Sequence, residues 1–89
     1  MKTEKKEALI ALGRQIRTVR LSRNISQEDF AMEAGLGRSY YGGVERGERN
    51  IAALNLMRIA VALNVEVGEL FPKVEAFKEL LDASSEMEE

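Results

Sequence analysis

The residues able to do chemistry in this chain are cations and hydrogen-bond donors, not nucleophiles. Histidine and cysteine are absent from all 89 residues, which excludes thiolate and imidazole nucleophiles, a histidine proton shuttle, thiolate zinc sites and disulfides. No nucleophile, base and metal-ligand constellation can be assembled from the rest, so no catalytic residue, no metal and no cofactor is expected. Arginine is what remains. Arg14, Arg17, Arg20 and Arg23 recur every three residues, and Arg46, Arg49 and Asn50 place three donors within five residues. Side chains three apart spiral across a helix, so the first four arginines cannot all meet one target. Charge is polarised along the chain: residues 1–49 carry 10 basic and 7 acidic residues, residues 50–89 carry 3 and 8. Phosphate attraction is local on the scale of a Debye length, about 8 Å at physiological salt, so the net charge of −2 does not exclude a basic binding face.

The elements that must hold these donors are helices. Ser26 is a good N-cap, Asp29 three residues on makes a near capping box, and Glu28 and Asp29 favour the positive end of a helix dipole. A helix is therefore predicted from Gln27, with Phe30, Ala31 and Ala34 on its apolar face and Gly35 at its end. A second, from about Arg38 to Arg46, carries Tyr41 and Val44 on one face, and with Leu36 these close a small core over Phe30 and Ala31. Upstream, Leu9, Leu12, Ile16 and Val19 have the spacing of one helix face. Downstream, Ala52 to Leu63 is apolar nearly all round, broken only by Asn55 and Arg58. Such a helix is either central in the monomer or buried on a second side by a partner subunit. Val65, Val67, Leu70 and Phe71 suggest a short fifth helix ended by Pro72. Val74, Phe77, Leu80 and Leu81 suggest a sixth, to about Ala83, whose stripe packs on its own domain or joins a dimer. Ser84 to Glu89 is expected to fray.

This order of motifs (SQEDFA, AGL, RSYYGGVERGERN, LMRIAVALNVEVGELF) resembles the phage repressor helix-turn-helix family of Cro and C1 type, and within it the small controller proteins of restriction-modification systems. The likeness covers about residues 12–71. It implies an all-α, five-helix repressor-like DNA-binding bundle, here with the added sixth helix, in a single domain over residues 1–83. In this family the N-terminal part of the second motif helix enters the major groove. By that resemblance Arg38, Ser39 and Gly43 fall at base-facing positions, with Tyr40 beside a phosphate or a thymine methyl. Arg38 is the best reader, since a guanidinium donates two parallel hydrogen bonds to guanine. Gln27, Arg46, Arg49 and Asn50, with Arg17, are the expected phosphate contacts, and Arg23 is a further one. Arg20 matches an arginine that pairs with the glutamate ending the recognition helix, here Glu45.

Two departures stand out. Ala52 replaces the usual serine cap of the fourth helix, leaving Asn50 as a possible cap. Gly42 and Gly43 lie inside the recognition helix, each costing about 1 kcal/mol relative to alanine. A close approach of the helix backbone to DNA would explain them; so would local irregularity.

The expected function is a dimeric transcription regulator, a repressor or a controller, on double-stranded DNA with two half-sites. Its dimer contacts are expected from Leu54, Leu63, Val65, Val67, Phe71, Phe77 and Leu81. The apolar run near the N-terminus is too short for a membrane or secretory segment, so a cytoplasmic protein without membrane contact is expected. The alternative is a protein-interaction module, antitoxin-like or regulator-sequestering, with a second protein as partner.

Overall fold

Four residues in the left-handed region set the path of the chain. Asn24, Gly35, Gly47 and Asn64 have φ of 59°, 76°, 78° and 59°, and each follows the last turn of a helix. In the computed structural model, which describes the backbone of residues 3–88 and the side chains of residues 7–82, these helices are α1 (Thr3–Ser22), α2 (Gln27–Ala34), α3 (Arg38–Glu45) and α4 (Ala53–Leu63). After α2 the amide of Leu36 donates to the Ala31 carbonyl at 2.9 Å and that of Gly35 to Met32 at 3.1 Å. After α3, Glu48 donates to Gly43 at 2.8 Å and Gly47 to Val44 at 3.1 Å; after α4, Val65 donates to Ala60 at 3.1 Å and Asn64 to Val61 at 3.0 Å. These are paired closures around a left-handed residue, and they satisfy helix carbonyls that would otherwise lack partners. The N-terminus of α2 forms as its sequence requires, with the Ser26 hydroxyl accepting from the Asp29 amide at 3.0 Å. At α4 the cap residue is Ala52, and no side-chain cap hydrogen bond is made there.

The expected fifth helix is a single 3₁₀ turn, Val67–Leu70. Its length explains this: Glu66 and Glu69 form a capping box at one end and Pro72 stops the chain two residues past the other, so no full α-turn fits. The last helix, α5 (Val74–Glu88), continues past Ala83, with no glycine or proline to end it. The side chains of the Ser84–Glu89 tail, and Glu89 altogether, lie outside the described residues.

The core is where the alternating faces meet. Leu12 and Ile16 of α1, Phe30, Ala31 and Ala34 of α2, Leu36 in the turn, Tyr41 and Val44 of α3, Ile59, Ala60 and Leu63 of α4, and Leu70 form one cluster. The Phe30 and Tyr41 rings meet at 5.2 Å between centroids, the tilted arrangement that aromatic pairs prefer. α5 lies against α1, where Ala8, Leu9, Leu12, Phe71, Pro72, Phe77 and Leu81 line an apolar cleft, with Phe71 and Phe77 edge to face at 6.3 Å. Two glycines allow α1 to cross the end of α3. A Cβ on Gly13 would lie 2.5 Å from the Glu45 carbonyl oxygen, and one on Gly47 2.5 Å from the Ile10 Cα. No helix among the described residues is long and apolar enough to cross a membrane.

Candidate nucleic-acid interface

Glu45, the last residue of α3, is 5% exposed, as is Arg20 of α1. Arg20 donates through Nε at 2.6 Å and through Nη2 at 3.1 Å to the two oxygens of the Glu45 carboxylate, the forked geometry for which a guanidinium is suited. Its remaining nitrogen, Nη1, donates to the Ile25 carbonyl at 2.7 Å. The same carboxylate accepts from Gln27 Nε2 at 2.9 Å and from the Tyr41 hydroxyl. Three helices thus meet on one anion, and Arg20 ties the turn between α1 and α2 to it. Burial alone would raise the Glu45 carboxyl, but hydrogen bonds from Arg20, Tyr41 and Gln27 outweigh it and hold the group below its ordinary value. The Glu45 carboxylate in turn raises Arg20. Burial, and then the hydrogen bond to Glu45, push the Tyr41 phenol up. Among the described residues no buried side-chain polar atom lacks a partner, so the network is charged but fully satisfied.

This buried lock fixes the orientation of α3 while leaving its N-terminal end outside. Arg38 and Ser39 are exposed and Tyr40 is half-buried. Arg38 Nη1 pairs with Glu28 Oε2 at 2.9 Å, and Arg46 Nε with Glu48 Oε2 at 3.1 Å, all four side chains being more than half exposed. The pairing with Glu48 raises Arg46. Exposed pairs of this kind contribute little, typically about 0–1 kcal/mol, and open readily for a stronger anion. Arg49 lies over the Tyr40 ring, its guanidinium carbon 5.7 Å from the centroid. The Tyr40 hydroxyl accepts from Asn55 Nδ2 at 3.2 Å, which ties α3 to α4.

The expected site residues are distributed as follows. Arg17, Arg46, Arg49 and Asn50 are exposed. Gln27 is half-buried, and its amide nitrogen is turned inward to Glu45. Arg23 does not stand free: its Nε donates to the Leu63 carbonyl at the end of α4, 3.1 Å away. Gly42 and Gly43 are buried, the first beneath Arg46 and Gln27, the second beneath the stem of Arg49. Of the residues expected between subunits, Leu63 needs correction. It is 1% exposed and belongs to the monomer core, because it lies on the α4 face that carries Ile59 and Ala60. Phe71 and Phe77 are half-buried against each other and α1, Val65 is half-buried, and Leu54, Val67 and Leu81 are exposed. The outer face of α4 also carries Met57 and, 79% exposed, Val61. A signal for Tyr41 in the network was present: Tyr41 and Glu45 are four apart, the spacing that stacks side chains along a helix. None pointed to Gly13.

Comparison with known proteins agrees with this geometry. A helix-turn-helix family model, HTH_3, matches residues 16–70. The control protein C.MunI of Mycoplasma sp. is 36% identical over 67 residues, covering 74% of this chain and 90% of that protein. The control protein C.BamHI of Bacillus amyloliquefaciens is 40% identical over 62 residues, covering 68% and 76%. Among solved structures, the restriction-modification controller protein C.AhdI of Aeromonas hydrophila superimposes with a TM-score of 0.69 at 46% identity, covering 71% of this chain and 96% of that one. A core of the same helices, with the α3 end that carries Arg38 left open, places this chain in the XRE-type HTH_3 family of DNA-binding helix-turn-helix transcriptional regulators.

Proposed function

We propose that this chain is a dimeric repressor or controller that binds a two-half-site operator in the cytoplasm, inserting one α3 into each half-site at centres about 34 to 36 Å apart. The observation that carries this reading is the exposed N-terminal end of α3, with Arg38 and Ser39 open to solvent on a helix locked from behind by Arg20 and Glu45. Arg38 reads guanine and Ser39 a base edge, with Tyr40 beside them; Arg17, Arg46, Arg49 and Asn50 hold the phosphates and set the register. Gln27 supports the reading end through Glu45.

Binding to duplexes selected by the protein from a randomised double-stranded pool tests this. Selected duplexes should bind with a log–log salt slope of several units. Arg38→Ala should weaken the selected sequence about 10- to 100-fold while sparing others, and Arg49→Ala should weaken all sequences alike and reduce the slope by about 1. Absent or salt-independent binding would end the DNA reading.

Dimerisation is proposed through the apolar side chains left exposed on α4, namely Leu54, Met57 and Val61, together with Val65 and Val67. Three large apolar groups on one helix face are costly to leave in water, at about 25 cal/mol per Å², and a two-fold interface buries each of them twice. Sedimentation equilibrium at tens of micromolar should give a dimer, and Val61→Glu a monomer with an unchanged helical circular dichroism spectrum and a thermal midpoint that no longer rises with protein concentration. A wild-type monomer at that concentration would contradict the proposal.

A further inference from the structure

The glycine pair of the recognition helix has a physical role that its helix propensity hides. The left-handed Gly47 and the hydrogen bond from the Glu48 amide to the Gly43 carbonyl, 2.8 Å long, fold the chain after α3 back along the helix. Arg49 then returns across Gly43. A Cβ at position 43 would stand 3.0 Å from Arg49 Cγ, 3.5 Å from Nε and 3.8 Å from Cδ, tighter than ordinary van der Waals contact at the first of these. The guanidinium continues to the face of Tyr40 at 5.7 Å, and Tyr40 is itself held through its hydroxyl by Asn55, which accepts from Arg58 Nη1 at 3.1 Å. Gly42 makes a related bed, its would-be Cβ 3.1 Å from Arg46 Nη1, but that arginine is engaged by the exposed Glu48.

We propose that Gly43 is a positioning residue for DNA recognition: it seats the Arg49 stem flat across α3 so that the guanidinium stacks on Tyr40, next to Ser39 and Arg38. The inference rests on the DNA-binding reading above. It replaces a close approach of bare backbone to DNA with a different device, in which the missing side chain makes room for an arginine of the same chain. Seating lowers the ordering cost of a long, flexible cation before DNA arrives. It also makes the loop after α3 and the reading end of α3 one rigid unit.

The test is a double-mutant cycle on the selected duplex, with Gly43→Ala, Arg49→Ala and both together. Gly43 lies within α3, so alanine there should not lower the thermal midpoint. Gly43→Ala should weaken binding about fivefold to tenfold, and Arg49→Ala about tenfold, the equivalent of about 1.4 kcal/mol. The double variant should be no weaker than Arg49→Ala alone. Without DNA, the Arg49 Cδ protons should be shifted upfield by the Tyr40 ring current in the wild type and return to ordinary positions in Gly43→Ala and in Tyr40→Leu. Losses that multiply would assign Gly43 its own contact with DNA and overturn the seating, as would wild-type affinity in Gly43→Ala or an unshifted Arg49 in the wild type. A wild type that selects no duplex while its Arg49 protons are shifted would overturn the DNA reading and leave only the stacking.

Discussion

Replacing Glu45 with glutamine should remove about 3 to 5 kcal/mol of stability, a large share of the roughly 5 to 15 kcal/mol available to a domain of this kind. Glutamine keeps the shape and can still accept hydrogen bonds, but it leaves the buried Arg20 guanidinium without its counter-ion. The expense lies in the orphaned charge rather than in the lost pair. Arg20→Met combined with Glu45→Met should therefore recover most of the loss, and urea unfolding of the wild type and the two variants would show it. A single-variant loss below about 1 kcal/mol would mean that solvent reaches Arg20. The pH dependence follows from the same groups. Because the folded Glu45 carboxyl lies below its ordinary 4.5, its contribution is present above that value and is lost as pH falls through the folded one. Tyr41 is raised above its ordinary 10.0, so its contribution is present below 10 and is lost as pH rises toward the folded value. With neither histidine nor cysteine in the chain, stability should be level from about pH 5 to 9. Glu45→Gln should flatten the acid side of that profile.

Gly13→Ala should lower stability by about 1 to 3 kcal/mol or more, although alanine for glycine inside a helix ordinarily gains about 1 kcal/mol. The sign reverses because of what the new methyl meets. Carbonyl oxygens of Val44 and Glu45 lie at or within 2.5 Å of the Cβ position, and backbone cannot turn aside as a side chain can. Either α1 moves off α3, which pulls Arg20 away from Glu45, or the end of α3 distorts. At about 4 to 8 °C of midpoint per kcal/mol for a small domain, thermal unfolding resolves the effect. Gly68→Ala is the control, since nothing lies within 4 Å of its Cβ position. An alanine at position 13 that melts at or above the wild type would remove the close crossing from this account. Gly43→Ala provides the contrast: its Cβ meets the Arg49 stem, so it should cost position rather than stability.

Much of this architecture was legible from local rules. Ser26 and Gly35 bound α2 because a hydroxyl cap and a left-handed residue act within a few residues of chain, and the core face of Phe30, Ala31, Tyr41 and Val44 follows from helical spacing. The fifth element is the short helix the spacing predicts, but of 3₁₀ type, because the apolar spacing of Val67, Leu70 and Phe71 does not count the backbone hydrogen bonds that four residues can make. Leu63 lies in the monomer core rather than between subunits for a related reason. A helix apolar nearly all round does not reveal which side its own domain covers, and the contacts of α2 and the 3₁₀ turn decide that.

By itself, then, the sequence determined the α-helices, the caps of α2, the core faces and the family, since each depends on spacing within one segment or on a pattern carried along it. The partners of individual charges were decided only by tertiary structure. Arg17, Arg20 and Arg23 look alike at three-residue spacing, yet Arg17 of α1 faces solvent, Arg20 of α1 is buried on Glu45, and Arg23, in the turn just past α1, donates to the Leu63 carbonyl. Which environment each meets depends on how α1 crosses α3 and on where the turn after α1 meets the end of α4, and the α1–α3 crossing is permitted by the absence of a side chain at Gly13. The glycines of α3 are the same case. Read in one dimension they weaken a helix; in three they lie beneath Arg46 and Arg49, because a steric vacancy has meaning only when the chain that fills it has been brought back across.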